Sequence, residues 1–118
     1  MRIGSLFAGL GGLDLACEWA WGAAAAWQLD LAGERIRARH WPDALQVRED
    51  ITTVDPLALG AVDVLCGGFP CQDLSVAGNQ ASSERLEDGE RSGLYTEILR
   101  FARALQPRYV VIENVAPL

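Results

Sequence analysis

Residues 2–12 read RIGSLFAGLGG, a short apolar run that stops at a glycine-rich turn over residues 8–12. A helical pattern follows over residues 13–21, and Gly22 is its stop signal. Glycine has no Cβ, so a ligand can approach the backbone of such a turn closely. The order strand, glycine turn, helix therefore favours a site for a nucleotide-like cofactor. The glycines do not complete the six-residue dinucleotide fingerprint, and a tight turn without a ligand is the alternative.

Strand-like and helix-like segments alternate along the rest of the chain. Residues 23–29, 62–66 and 109–112 are predicted to be buried strands. Residues 33–41 form an arginine-rich helical segment, and apolar residues recur at helical spacing over residues 94–105. This alternation predicts an α/β fold, in which a parallel sheet carries helices on both faces. Ligands of such sheets sit beyond the carboxyl ends of the strands.

The chain has 118 residues, of which half are apolar and 22% are charged, so it can form the core of one domain. Its apolar stretches are too short to span a bilayer, and no secretory signal begins the sequence. We therefore expect a cytoplasmic protein without membrane contact. It has an odd number of cysteines, three, and one histidine without zinc-ligand spacing. We expect free thiols, no disulfide framework and no metal site.

The formal net charge of −6 argues, by itself, against binding to nucleic acid, since domains that contact phosphates usually carry a basic patch. All ten basic residues are arginines, whose side chains suit bidentate phosphate contacts. A DNA-binding function therefore requires a basic surface elsewhere in the protein.

Three polar residues follow predicted strands, where ligands are expected. Asp30 follows the second strand and could accept hydrogen bonds from ribose hydroxyls, or cap the next helix. Cys71 lies in a loop just past the third strand, where a partly exposed thiol could be a nucleophile or stay inert. Glu113 closes the last strand and could protonate the ring nitrogen of a base, or bond to a nearby loop. Cys17 and Cys66 lie among apolar neighbours and are interpreted as structural.

These sites, in this order, resemble the cytosine C5-methyltransferase family. The matching segments are SLFAGLGGLDLA at residues 5–16, GGFPCQDLSVAG at 67–78, RSGLY at 91–95 and ENV at 113–115. Asp50 and Ile51, in the segment REDIT, resemble the family's short acidic motif that contacts adenine. The resemblance covers essentially the whole chain and implies a Rossmann-like sheet of the S-adenosylmethionine-dependent methyltransferases.

The resemblance also implies roles for single residues. Phe7 would stack near the adenine of S-adenosylmethionine, and Asp50 would contact its amino group. Cys71 would be the nucleophile and Glu113 the catalytic acid. The implied cofactor-binding residues are Phe7, Ala8, Gly9, Gly11, Gly12, Asp30, Asp50, Ile51 and Pro70.

The position of the ribose-binding acid has two alternatives. The family usually has a glutamate there, and counting back from His40 without a gap places Gln28 at this position. A two-residue deletion places Asp30 there instead. We favour Asp30, because a carboxylate suits two ribose hydroxyls.

The implied reaction is methyl transfer to C5 of cytosine in double-stranded DNA. Cys71 would attack C6 of a cytosine that has been flipped out of the duplex, while Glu113 acts at N3. Residues 78–93 are polar and glycine-bearing, which predicts a surface loop. With Arg85 and Arg91, this loop would close over the DNA, or else it is a plain solvated connection.

The family's later motifs, its variable target-recognition region and the C-terminal part of its sheet are absent from residues 1–118. We therefore expect a partial catalytic domain that needs a complementary C-terminal polypeptide, which would also carry the basic DNA-contacting surface. Two other interpretations remain open. The chain could be an inactive, cofactor-binding remnant, or part of a tRNA cytosine C5-methyltransferase, which shares these motifs.

Overall fold

A computed structural model describes residues 1–68 and 90–114 of the chain. Its strands are β1 (Arg2–Leu6), β2 (Ala24–Leu29), β3 (Leu45–Val47), β4 (Val64–Gly68) and β5 (Tyr109–Glu113). Its helices are α1 (Gly12–Trp21), α2 (Glu34–His40), α3 (Pro56–Leu59) and α4 (Glu90–Leu105), with a 3-10 helix at Ile51–Thr53.

The strands form one five-stranded sheet in the order β3-β2-β1-β4-β5, and each described pairing is parallel. The chain runs outward from β1 to β3 and then returns to place β4 on the other side of β1. This reversal between β1 and β4 is the position at which open α/β sheets bind ligands, beyond the carboxyl ends of the strands. The predicted parallel sheet is confirmed.

The apolar core fills both faces of the sheet. Helix α1 covers a small cluster on one face, built around Ile3, Cys17 and Cys66. Helix α4 covers a larger cluster on the other face, which includes Trp27 and Phe101. The predicted helices on both faces are therefore confirmed, and the alternation of side chains along β1 supplies both layers.

This packing requires a glycine at residue 4 of β1. The indole of Trp27 is fully buried and lies against Gly4, so a Cβ at residue 4 would overlap the ring. Trp27 is in turn held by the ring of Phe101, at 6.1 Å between centroids, and its Nε1 donates to the carbonyl oxygen of Gly60 at 3.3 Å. The β1–β2 contact is close because residue 4 has no side chain.

The prediction that residues 109–112 form a buried strand is wrong in one respect. The strand exists, but no residue of β5 is fully buried, and Val110 and Ile112 are 44% and 40% exposed. The physical reason is position, since β5 is at the edge of the sheet and pairs only with β4 among the described strands. The ring of Trp21 stacks on Tyr109 at 5.5 Å and covers only the start of the strand.

Two further boundaries differ from the sequence predictions. Strand β3 was not predicted, and α4 begins at Glu90, so the last four residues of the predicted loop 78–93 are helical. An acidic residue is favourable in the first turn of a helix, so a polar segment can begin one. The rest of that loop lies outside the described residues. No helix within the described ranges is long and apolar enough to cross a membrane.

Candidate cofactor pocket and catalytic edge

The turn after β1 has a backbone that few residues other than glycine adopt. Phe7, Gly9 and Gly11 have φ values of 52°, 55° and 85°. A Cβ on Gly11 would overlap the ring of Trp41, whose Nε1 donates to Glu18 of α1 at 2.5 Å. The turn is therefore narrow because α1 and Trp41 close it from one side.

A pocket of about 200 Å³ lies at the carboxyl ends of β1, β2 and β3. The structure brings Phe7, Asp30, Asp50 and Ile51 together there, four of the residues that the sequence predicts to bind the cofactor. The predicted residues Ala8, Gly9, Gly11 and Gly12 belong to the adjoining turn and the start of α1. The complete lining is Phe7, Leu29, Asp30, Leu31, Glu49, Asp50, Ile51 and Leu94.

The alternatives for the ribose-binding acid occupy different environments. Asp30 lines the pocket, and its Oδ2 and Oδ1 accept from the N–H groups of Gly9 at 2.8 Å and Ala32 at 3.2 Å. Gln28 is fully buried, and its Oε1 accepts from Gln46 at 2.6 Å. Asp30 does not cap the next helix, because Gly33 is the residue before α2. Of the two, only Asp30 can meet a ligand.

Asp50 begins the 3-10 helix that forms another wall of the pocket. Its Oδ1 accepts from the backbone N–H of Thr52 at 2.9 Å and from the Thr52 hydroxyl at 2.7 Å. These hydrogen bonds lower the pKa of Asp50 below its usual value, so the group is a carboxylate at neutral pH. Among the described residues Oδ2 has no hydrogen-bond partner, which leaves it available to a donor on a ligand.

Arg100 of α4 hydrogen-bonds to the backbone of the same 3-10 helix and of the residue that follows it. Its Nη2 and Nη1 donate to the carbonyl oxygens of Ile51 at 2.6 Å and Val54 at 2.9 Å, and its Nε pairs with Glu97 at 2.6 Å. Sequence reasoning missed this residue. Its partners are backbone carbonyls 46 and 49 positions away, and no sequence pattern marks them.

Arg37 of α2 is the second arginine that sequence reasoning missed. It is fully buried, and its Nη1 donates to the carbonyl oxygens of Gly9 and Ala32, both at 2.6 Å, while its Nε donates to Gln46 at 2.9 Å. An arginine in a segment with several others is usually solvated, so no sequence pattern marks this one as buried.

The predicted catalytic residues follow β4 and β5. Glu113 ends β5 and pairs in register with Gly68, the last residue of β4, and a Cβ on Gly68 would lie 2.7 Å from a carboxylate oxygen of Glu113. Glu113 is exposed at this edge rather than enclosed by a buried strand. Pro70 and Cys71 lie outside the described residues.

The other two cysteines have the properties of structural thiols. Cys17 and Cys66 are free and buried, on α1 and β4. Burial raises the pKa of each thiol above its usual value, and the nearby carboxylate of Asp14 adds to this effect. Neither thiol is suited to form a thiolate at neutral pH.

The family model for C-5 cytosine-specific DNA methylases matches residues 1–118. The chain belongs to this family. It is 40% identical to the type II methyltransferase M.NgoFVII of Neisseria gonorrhoeae, over 97% of this chain and 30% of the relative. It is 34% identical to the type II methyltransferase M.HhaI of Haemophilus parahaemolyticus, over 98% of this chain and 34% of the relative. The chain thus spans about a third of the length of these family members.

Solved structures show the same fold. A DNA modification methyltransferase encoded within an Escherichia coli prophage matches with a TM-score of 0.72 and 24% identity, over 99% of this chain and 32% of that one. The DNMT2 protein of Spodoptera frugiperda matches with a TM-score of 0.65 and 18% identity, over 97% of this chain and 35% of that one. At these identities the likeness supports the methyltransferase fold, which the family assignment also implies.

Proposed function

We propose that this chain is the cofactor-binding and nucleophile-bearing part of an enzyme that transfers a methyl group from S-adenosylmethionine to C5 of cytosine in DNA. The observation that carries the proposal is the pocket beyond β1, β2 and β3, where three acidic residues and several apolar side chains converge. The family membership of the chain supports this reaction, and the lining of the pocket supports binding of the methyl donor there.

The residues of the pocket fit the adenosine part of the donor. Phe7, Leu29 and Ile51 offer apolar walls to a purine ring. Asp30 offers acceptor oxygens to ribose hydroxyls, and Asp50 offers Oδ2 to the adenine amino group. When bound, S-adenosylmethionine supplies an electrophilic methyl group.

The chain's own residues activate the base. Cytosine C5 is a poor nucleophile, so the Cys71 thiolate forms a bond to C6 while Glu113 donates a proton to N3, and the electron pair moves to C5. C5 would then take the methyl group, and the thioether S-adenosylhomocysteine would be the leaving group. Loss of the C5 proton to a base breaks the Cys71–C6 bond and returns the thiolate, and N3 gives its proton back to Glu113. The cytosine must leave the duplex for a thiol to reach C6.

The strand ends support the pairing of these two residues. Cys71 comes three positions after Gly68, and an extended chain of that length spans at most roughly 10 Å. Gly68 is beside Glu113. A sulfur at residue 71 is therefore within reach of the Glu113 side of the edge.

The open side of β5 supports the need for a complementary polypeptide. The outer backbone edge of β5 has no strand beside it among the described residues, and Val110 and Ile112 are exposed. A polypeptide that corresponds to the remaining two thirds of the related methyltransferases would cover this side and bring the basic surface that a chain of net charge −6 lacks.

The proposal is tested by co-expressing the chain with the C-terminal part of M.NgoFVII and measuring methyl transfer to DNA, with tRNA as a second substrate. We expect DNA methylation, its loss in Cys71→Ser, and its retention in the matched variant Cys66→Ala. DNA that carries 5-fluorocytosine blocks the final elimination, so it should form a lasting adduct with Cys71. Retained activity in Cys71→Ser, or an adduct through Cys66, would contradict the mechanism. Methylation of tRNA without methylation of DNA would mean that the substrate is tRNA and not DNA.

A further inference from the structure

We propose that Arg37 is a positioning residue for the pocket, which holds Asp30 and the glycine turn in the geometry that recognises ribose. The inference rests on the proposed function, because it assigns ribose recognition to Asp30. It adds a residue that lies outside the glycine turn and outside the pocket lining.

Asp30 and Arg37 both hydrogen-bond to the backbone of Gly9 and Ala32. The carboxylate of Asp30 accepts from the N–H groups of Gly9 at 2.8 Å and Ala32 at 3.2 Å. The guanidinium of Arg37 donates to the carbonyl oxygens of Gly9 and Ala32, both at 2.6 Å. An anion and a cation are thus linked through two stretches of backbone, and the direction of each stretch fixes where the carboxylate can lie.

Stability alone does not account for an arginine at this position. Arg37 is fully buried and has no carboxylate within ion-pair distance among the described residues, and its Nη2 has no hydrogen-bond partner there. A buried charge without a counter-ion is costly, and an apolar side chain would fill the same space at a lower desolvation cost. The contacts of Arg37 point instead to a task at the turn.

The backbones of the turns after β1 and β2 approach each other closely at Gly33. Gly33 has a φ of 79°, and a Cβ at this residue would overlap the carbonyl oxygen of Gly9 and lie 2.8 Å from Nη1 of Arg37. The turn after β2 therefore abuts the turn after β1, with the Arg37 guanidinium beside their contact. Shortening or neutralising residue 37 would let the two turns separate and would move Asp30 with them.

The test measures affinity of the 118-residue chain for S-adenosylmethionine and for its 2′,3′-dideoxy analogue, which lacks both ribose hydroxyls. We expect the natural ligand to bind at least about tenfold more tightly, as for two hydrogen bonds to a carboxylate. In Asp30→Asn and in Arg37→Met this ratio should fall toward one. It should stay unchanged in Arg39→Met, a matched change at an exposed position of the same helix.

The ratio separates positioning from a merely structural role, since partial unfolding lowers both affinities equally and leaves the ratio intact. Arg37→Met should also have no further effect on the ratio in the Asp30→Asn background. If Arg37→Met does not fold, Arg37→Lys decides, with an intermediate ratio expected. An unchanged ratio in the folded Arg37 variant overturns the inference alone. Absence of binding by the unaltered chain, both alone and together with the C-terminal part of M.NgoFVII, overturns the proposed function, and this inference with it.

Discussion

Strands β1 and β5 belong to the same parallel sheet and have the same length of five residues, but their environments are opposite. In β1 every residue after Arg2 is buried, whereas in β5 none is. The central strand pairs on both sides and is covered by α1 and α4, and the edge strand pairs on one side only. Both segments are apolar, so apolar composition predicts a strand but not its place in the sheet.

The largest expected effect comes from truncating one residue of each strand at the same level of the sheet. Leu6 and Ile112 both pair in register with Gly67, and they are 0% and 40% exposed. Leu6→Ala should lower the free energy of unfolding by about 3 kcal/mol, because it leaves a cavity. Ile112→Ala should lower it by less than about 1 kcal/mol. Urea unfolding of both variants measures the difference, and equal losses would break the contrast between the strands.

A smaller effect is expected where Arg100 joins α4 to the segment that follows β3. Arg100→Met removes the donors to the carbonyl oxygens of Ile51 and Val54 and should destabilise the chain by about 2 kcal/mol. Arg103→Met, an exposed change on the same helix, is the control. Equal urea midpoints for the two variants would show that α4 is held by its apolar face alone.

A buried carboxyl group beside β1 also predicts that the stability of the chain depends on pH. Asp14 of α1 is fully buried near Ser5 of β1 and Gln28, without a well-formed hydrogen bond to either, and burial raises its pKa above the usual value of 3.8. The folded chain therefore keeps a proton that the unfolded chain releases at lower pH. Stability from this group is present below pH 3.8 and is lost as pH rises through the raised pKa.

Asp14→Asn removes this titration and should raise the free energy of unfolding at pH 7 relative to the unaltered protein. The gain should shrink as the pH is lowered toward 3.8, since a growing fraction of Asp14 is then protonated in the folded state. Urea unfolding of the two proteins across this range measures it. A gain that does not change with pH would mean that Asp14 is not the titrating group.

The smallest effect on the isolated chain is expected at the open edge. Val110→Asp should change the free energy of unfolding by less than about 1 kcal/mol, because the residue is 44% exposed. It should nevertheless weaken association with a complementary polypeptide at least about tenfold, since a charge would enter an apolar interface. Leu57→Asp, at the 68% exposed Leu57 of α3, is the control for added charge. Equal association of both variants would argue against β5 as the docking edge.

The fold follows from the sequence where local signals are strong and fails where they are short. The strand–turn–helix unit at residues 2–21 was predictable because apolar runs and glycines mark each boundary. Strand β3 was not, since Leu45–Val47 contains only three residues with Gln46 in the middle. Gln46 belongs there because its side chain links Gln28 to Arg37, a contact that no local pattern reveals.

The candidate site divides in the same way. Residues that line the pocket, such as Phe7, Asp30 and Asp50, lie in short motifs at strand ends. Asp30 was singled out by its place after a strand, and Phe7 and Asp50 by the resemblance to the family. Residues that hold the backbone in place were missed, because Arg37 and Arg100 act on carbonyl groups of distant segments. Arginine side chains are mostly exposed in folded proteins, so the sequence alone does not predict a buried one.

The open side of β5 has a consequence for handling the protein in solution. Among the described residues the outer backbone groups of β5 are unpaired, and Val110 and Ile112 are exposed. Whenever no neighbour covers it, such a strand is a template on which a second copy can add its own strand. The net charge of −6 opposes such growth by mutual repulsion, and dissolved salt screens that repulsion over about 10 Å at 0.1 M. Aggregation should therefore rise with ionic strength, and dilute buffers should keep the chain monomeric longest.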